Sequence, residues 1–256
     1  MLFSAGKDSC VMLHLALKAF APSTPPFPLL SVDTTWKFPE THSFRDRMAE
    51  AAGMKLIVQV NREGAARGVG PFTHGAREHT RVMKSEALKE ALEEHGFDAV
   101  IDGARGDEER FRAKRRVSPS NSRTGHRGKA AGGRGPMRYF PLAEWTELDV
   151  WRYIALEPIE VPKLYFAAPR PVVERDGMLI VRVDERMQLK DGEQAKMRSV
   201  RFRTLGCWPL TGAVESVAAD LPSVLREVRH AGTSERQDRI IDQAGDREPE
   251  RGEGYF

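Results

Sequence analysis

Met1-Leu2-Phe3-Ser4-Ala5-Gly6-Lys7-Asp8-Ser9-Cys10 opens the chain and decides how the rest of it is read. Met1 to Phe3 reads as the end of a strand. After a run of small and polar residues, Val11, Met12, Leu15, Ala16 and Ala19 mark one face of a helix over Val11 to Phe20, ended by Pro22 and Pro25. A strand, a small-residue loop and a helix N-terminus together make an anion site, because backbone amides can approach closely and the positive end of the helix dipole faces the ligand. Lys7 adds positive charge, Ser4 and Ser9 add hydroxyl donors, and Asp8 can orient the turn or help hold Mg²⁺. The loop has neither the GxxxxGK[ST] nor the GxGxxG spacing, which argues against a GTPase-type or dinucleotide loop.

Working outward, Phe27 to Val32, Met54 to Val60 and Ala99 to Ile101 read as strands. Helices over about Pro39 to Ala52, closed by Gly53, and about Val82 to His95, before Gly96, alternate with them. This order predicts an α/β fold built on a doubly wound, mostly parallel sheet. Ser118 to Pro136 has almost no large apolar residue and reads as a mobile loop at 117–136. Thr146 to Leu156 reads as a helix with Thr146 as N-cap. Beyond it the chain is Pro-rich and charged and reads as an irregular extension, down to an amphipathic helix at Leu221 to His230. The expected organisation is a nucleotide-binding α/β domain over 1–156 and a C-terminal extension over 157–256 for acceptor and partner contacts.

Composition narrows the function classes. The chain has 256 residues, 40% of them hydrophobic, enough for one substantial core. Its net charge is only +3, although 30% of residues are charged, and the basic ones cluster at Arg110 to Arg116. That balance suits a small anionic ligand better than a nucleic-acid backbone. No apolar run approaches the roughly 20 residues that span a bilayer. Cys10 and Cys207 lie far apart with no CxxC partner, so they read as packed thiols rather than as a zinc site or a disulfide. His74 and His79 are five apart and read as poor metal ligands, and no metal site is expected from the side chains alone. A cytoplasmic protein without membrane or nucleic-acid partners is expected.

The loop Ser4-Ala5-Gly6-Lys7-Asp8-Ser9 resembles the pyrophosphate loop SxGxDS of the N-type ATP pyrophosphatase and PAPS reductase superfamily. Its members have an adenine nucleotide alpha hydrolase-like fold. The wider stretch Phe3 to Ala16 is similar to the small, catalytic subunits of bacterial sulfate adenylyltransferase (subunit 2). The likeness continues through Val32-Asp33-Thr34-Thr35-Trp36-Lys37-Phe38, Pro71-Phe72-Thr73-His74-Gly75, Gly103 to Glu109 with Arg112-Ala113-Lys114, Trp145 to Trp151, Arg201 to Ser216, Thr233-Ser234-Glu235-Arg236-Gln237 and Gly254-Tyr255-Phe256. It implies adenylyl transfer from ATP, with Mg²⁺ and no prosthetic group, to sulfate, giving adenosine 5′-phosphosulfate and pyrophosphate. It also implies a GTPase large subunit as partner, because the anhydride formed is higher in energy than the bond broken.

The expected site follows. Lys7 and the loop Ser4 to Ser9 take the β- and γ-phosphates. Asp33 and Thr34, just past the second strand, lie beside the nucleoside, and Arg105 and Asp107 take part in ATP binding. Arg112 and Lys114 meet the developing charge, and Arg201, Arg203 and Thr204 hold the acceptor. Sulfate is a weak nucleophile, so positioning and charge neutralisation matter more than proton transfer. Trp36 and Phe38 read equally as core residues or as flanks for an adenine.

Departures from the family are specific. Gly106 stands where the family has a second arginine, the 117–135 segment is shorter, and Asp242 to Arg251 lacks the basic tail. With the loop beginning at residue 4, a truncated N-terminus is expected. Alternatives are an adenylyltransferase for another anion, or a non-catalytic subunit that binds ATP or the partner. A PAPS reductase would end in a catalytic cysteine motif, and a tRNA-thiolating enzyme would carry CxxC pairs; neither is present.

Overall fold

The computed structural model describes residues 1–108, 127–128, 136–233 and 235. Five segments form the central sheet: β1 (Leu29–Val32), β2 (Leu56–Gln59), β3 (Ala99–Ile101), β5 (Met137–Tyr139) and, at its edge, β4 (Arg127–Gly128). The opening tripeptide ties them together. Leu2 pairs in parallel with Leu30 on one side, and on the other its N–H donates to the Ile101 carbonyl at 2.9 Å. The order is therefore β2, β1, residues 1–3, β3, β5, β4, with only β4 antiparallel. The order in which strands are added reverses beside residues 1–3, the switch point at which open α/β sheets bind ligands.

Helix α1 (Lys7–Phe20) starts four residues earlier than its apolar periodicity suggests, so Lys7, Asp8, Ser9 and Cys10 form its first turn. Its first half is buried against the sheet, while Ala19, expected on the inner face, is exposed where the helix runs off the sheet. Helix α2 (Pro39–Ala51) ends as expected, with Gly53 at φ +61. The short helix α3 (Arg62–Ala66), capped by Asn61, and helix α4 (Pro71–Thr80) were not foreseen. The helix expected over 82–95 is instead a π-helical stretch, Arg81–Glu86, leading into α5 (Ala87–His95). Helix α6 (Glu147–Leu156) carries the expected Thr146 cap: Thr146 Oγ1 accepts from Asp149 N–H at 3.2 Å, and Asp149 Oδ2 accepts from Thr146 N–H at 3.0 Å. Helix α7 (Leu221–His230) has the expected bounds.

The stretch read as irregular needs correction. Strands β6 (Ala168–Arg175), β7 (Met178–Val181), β8 (Lys196–Arg201) and β9 (Val214–Glu215) form a second, antiparallel sheet in the order β7, β6, β8, β9. Pro169 and Pro171 obscured β6. They pair with β8 before the named pairing with β7 begins at the Val172 register, and Pro171 still uses its carbonyl, which accepts from Arg182 N–H at 2.8 Å. One face of this sheet buries Val172, Val200, Phe202 and Trp208, together with Phe38 from the segment after β1. Much of the segment expected to be a loop at 117–136 falls outside the described residues.

Candidate active site

The anion loop sits at the switch point. Ala5 takes a left-handed backbone, φ +60, which brings successive amides to one side of the loop. Ser9 Oγ donates to Gly6 O at 2.8 Å, and Ser4 Oγ lies 3.4 Å from Ser9 Oγ. Tyr165 reaches in from beyond α6, and its hydroxyl accepts from Lys7 N–H at 2.9 Å. A cavity of about 220 Å³ opens between this loop and Gly103-Ala104, with Tyr165 and Thr204 to Cys207 on the opposite wall. Ser4, Gly6, Asp8, Ser9, Lys37 and Thr204 line it.

Beneath the loop lies a buried charge network. Lys7, fully buried, donates to Asp8 Oδ2 at 3.2 Å and to Glu235 Oε2. Arg105 donates to Asp8, to Asp107 Oδ1 at 3.1 Å and to Glu235 Oε1 at 2.5 Å. Burial alone would lower the Lys7 pKa, but Asp8 and Glu235 hold it above its ordinary value. Burial alone would raise the Glu235 carboxyl, yet Lys7 and Arg105 outweigh it and hold it far below the usual range. Asp107 Oδ2 accepts from Glu147 N–H at 2.9 Å, and Glu147 Oε2 accepts from Arg203 at 2.9 Å.

Glu147 carries the opposite shift. Burial first, then the Glu235 charge, push its carboxyl from 4.5 up to about 7. Because its native-state pKa lies above the unfolded one, its stabilisation is fully present below about pH 4.5 and is lost as pH rises through 7. Wild-type stability is expected to fall relative to a Glu147→Gln variant by about 2 kcal/mol between pH 5 and pH 8. Urea unfolding of both proteins across that range checks this; parallel pH curves would contradict it.

The expected site residues divide. The structure brings Ser4, Gly6, Asp8, Ser9 and Thr204 to the cavity wall. Lys7 and Arg105 lie behind it, each committed to carboxylates. Asp33 directly follows β1 and accepts from Thr35 N–H at 2.8 Å, with His42 at 3.4 Å and Arg45 at 3.9 Å. Thr34 is buried against Cys207, its Oγ1 3.1 Å from the sulfur. The arginines are not on the cavity wall, contrary to expectation. Arg201 donates to Glu227 at 2.7 Å, linking β8 to α7, and Arg203 is held by Glu147 and by the Thr233 carbonyl at 2.9 Å. A buried guanidinium needs a carboxylate, and these have one each. Arg110, Arg112 and Lys114 lie outside the described residues. Gly106, the position of the missing cation, contributes a backbone N–H to Ala143 O at 2.9 Å.

Other readings are resolved by packing. Trp36 stacks on Trp208 with centroids 5.3 Å apart, and Phe38 packs on Phe202 at 4.8 Å, so both serve the core. Cys207 has no histidine near it in sequence, but the fold supplies one. Burial would raise its thiol pKa, whereas Lys37, His79 and the Thr34 hydroxyl together bring it down to about 6. His74 instead meets Thr73 at 2.8 Å. Among the described residues, Asp8, Glu108 and Glu235 form a group whose oxygens lie within 4.8 Å of one another. Carboxylate oxygens suit magnesium, but Lys7 and Arg105 already balance this set. Tyr165, Glu147 and Glu235 had no assigned role in the sequence; Glu147 and Glu235 lay inside motifs that resembled the family, and Tyr165 did not.

The chain matches the phosphoadenosine phosphosulfate reductase domain model over residues 1–213 and belongs to that family. Within it, the chain is a member of the sulfate adenylyltransferase subunit 2 group. It is 57% identical to "Sulfate adenylyltransferase subunit 2 1" of Marinobacter nauticus over 272 aligned positions, covering 100% of this chain and 89% of that one. It is 55% identical to "Sulfate adenylyltransferase subunit 2" of Halorhodospira halophila, with the same coverage. Among solved structures, the phosphoadenylyl-sulfate reductase of Candida auris, as a phosphate complex, aligns at TM-score 0.47 and 21% identity, over 64% of this chain and 75% of that one.

Proposed function

We infer that the chain is the adenylyl-transferring subunit of a sulfate adenylyltransferase, converting ATP and sulfate to adenosine 5′-phosphosulfate and pyrophosphate. The observation that carries this reading is the Ser4 to Ser9 loop, open to a cavity at the switch point of a sheet whose relatives bear that name. A sulfate oxygen attacks the α-phosphorus and pyrophosphate leaves from the opposite side, so no covalent enzyme intermediate is needed.

Loop amides with Ser4 and Ser9 receive the β- and γ-phosphates. Lys7 and Arg105 supply positive potential from behind the loop, in a site where low dielectric strengthens it. Magnesium would arrive with ATP and offset its charge. Asp33 and Thr34 support the nucleoside end, and Asp107 fixes Arg105. Arg112 and Lys114 meet the leaving pyrophosphate. Thr204 faces the acceptor, and Arg203 holds that wall through Glu147.

The name of the relatives implies at least one further subunit. We propose that it is a GTPase, because the product anhydride lies uphill of ATP. The 1–156 and 157–256 division remains our working organisation, with Tyr165 and Glu235 of the second part completing the site of the first. We place the protein in the cytoplasm, where ATP is available; no helix among the described residues is long and apolar enough to cross a membrane.

Pyrophosphate release from ATP, measured with the partner subunit and GTP present, is expected to require sulfate. Release that is indifferent to sulfate, or that responds to another oxyanion instead, would sink the reading.

A further inference from the structure

Glu235 comes from the segment after α7, more than two hundred residues from the anion loop. Its side chain is only 2% exposed, and each of its oxygens holds a different cation. Oε2 accepts from Lys7 Nζ, and Oε1 accepts from Arg105 Nη2 at 2.5 Å. Lys7 and Arg105 repel one another, and two buried cations side by side need an anion between them. Both cations also hold Asp8: Lys7 through Oδ2 at 3.2 Å, and Arg105 through Oδ1. Asp8, in turn, lines the cavity, together with Asp102 and Glu108. Lys7 opens α1, so the grip on its side chain also fixes the backbone at the foot of the loop.

We propose that Glu235 is the positioning residue of the pyrophosphate loop. It bridges Lys7 to Arg105 and so fixes the direction of Asp8 and of the loop amides toward the triphosphate. It touches no reacting atom and acts through the two cations. This deepens the functional reading given above and rests on it. The alternative role for a buried anion at this place is that of a plug, drawing Lys7 away from phosphate until something displaces it. The two roles predict opposite signs, which makes them separable. Removing a positioning anion loosens the loop and weakens phosphate binding, whereas removing a plug strengthens it.

The test compares wild-type chain with Glu235→Gln, which keeps the volume and removes the charge, and Glu235→Asp, which keeps the charge and shortens the reach. Inorganic pyrophosphate binding is measured by calorimetry on the full chain. The sulfate-dependent rate is measured with the partner subunit, per mole of folded protein. Glu235→Gln is expected to weaken pyrophosphate binding about tenfold and to lower kcat more than it raises KM, since the loop works hardest on the leaving group. Glu235→Asp is expected to recover most of the binding. The inference is overturned if the Gln variant binds pyrophosphate as tightly as wild type or more tightly, or if Asp is no better than Gln. It is also overturned if both variants lose only folded protein while each folded molecule keeps its rate. Failure of the wild-type chain to bind pyrophosphate would overturn the functional reading and this inference together; wild-type binding with an unaffected Gln variant overturns the inference alone.

Discussion

A Lys7→Ala variant is expected to lose sulfate-dependent pyrophosphate release by a factor of about 10³ and to unfold more easily by about 3 kcal/mol. Both effects come from one position. Lys7 is fully buried and is the shared partner of Asp8 and Glu235, so its removal leaves two carboxylates with Arg105 as their main counter-charge. That uncompensated charge accounts for the stability loss. It also turns the potential behind the loop negative, where the β- and γ-phosphates must come, and this adds to the loss of Lys7's own attraction. Lys7→Arg separates the effects: it keeps the charge but puts a larger group into a fully buried site, so it is expected to cost stability while retaining more activity than Ala. Steady-state kinetics with thermal unfolding of the three proteins measures this. Full activity in the Ala variant would refute a role for Lys7 in the reaction.

How much of this was legible in the sequence depends on the range of the signal. The loop and α1 could be read because strand end, small residues and helix lie within twenty consecutive residues, and the Thr146 cap and Gly53 stop because capping is local. The antiparallel sheet was missed because Pro169 and Pro171 look like strand breakers unless the pairing partner on each side is known. The partners of the arginines were hidden for a related reason. Arg201 and Arg203 look like a pair of oxyanion donors in sequence, yet Glu227 and Glu147, distant along the chain, claim them in the fold. Charge in a sequence states what a residue carries, and only the three-dimensional partner states where that charge is spent. Glu235 illustrates the converse: the motif around it resembled the family, but nothing in the sequence told that its carboxylate closes the network under the loop.

Trp208→Ala is expected to cost about 3 to 5 kcal/mol, the largest purely structural effect at any position near the site. Trp208 is fully buried, stacks on Trp36 and meets Phe72 edge-on with centroids 5.9 Å apart, while Arg186 lies 5.3 Å over its ring. Its Nε1–H donates to Val181 O at 2.6 Å, and its own N–H donates to Trp36 O at 2.7 Å. It therefore joins the segment after β1 to the antiparallel sheet. Alanine would leave a large cavity and an unpaired Val181 carbonyl; phenylalanine would keep most of the contact and lose only the indole donor, about 1 kcal/mol. The neighbouring Gly206-Cys207 forms part of the cavity wall, so the Ala variant is also expected to raise KM for ATP as that wall loosens. Urea unfolding midpoints for wild type, Phe and Ala should fall in that order. An Ala variant within 1 kcal/mol of wild type would mean that the two sheets hold together without this contact, and that the wall opposite the loop is set by Tyr165 instead.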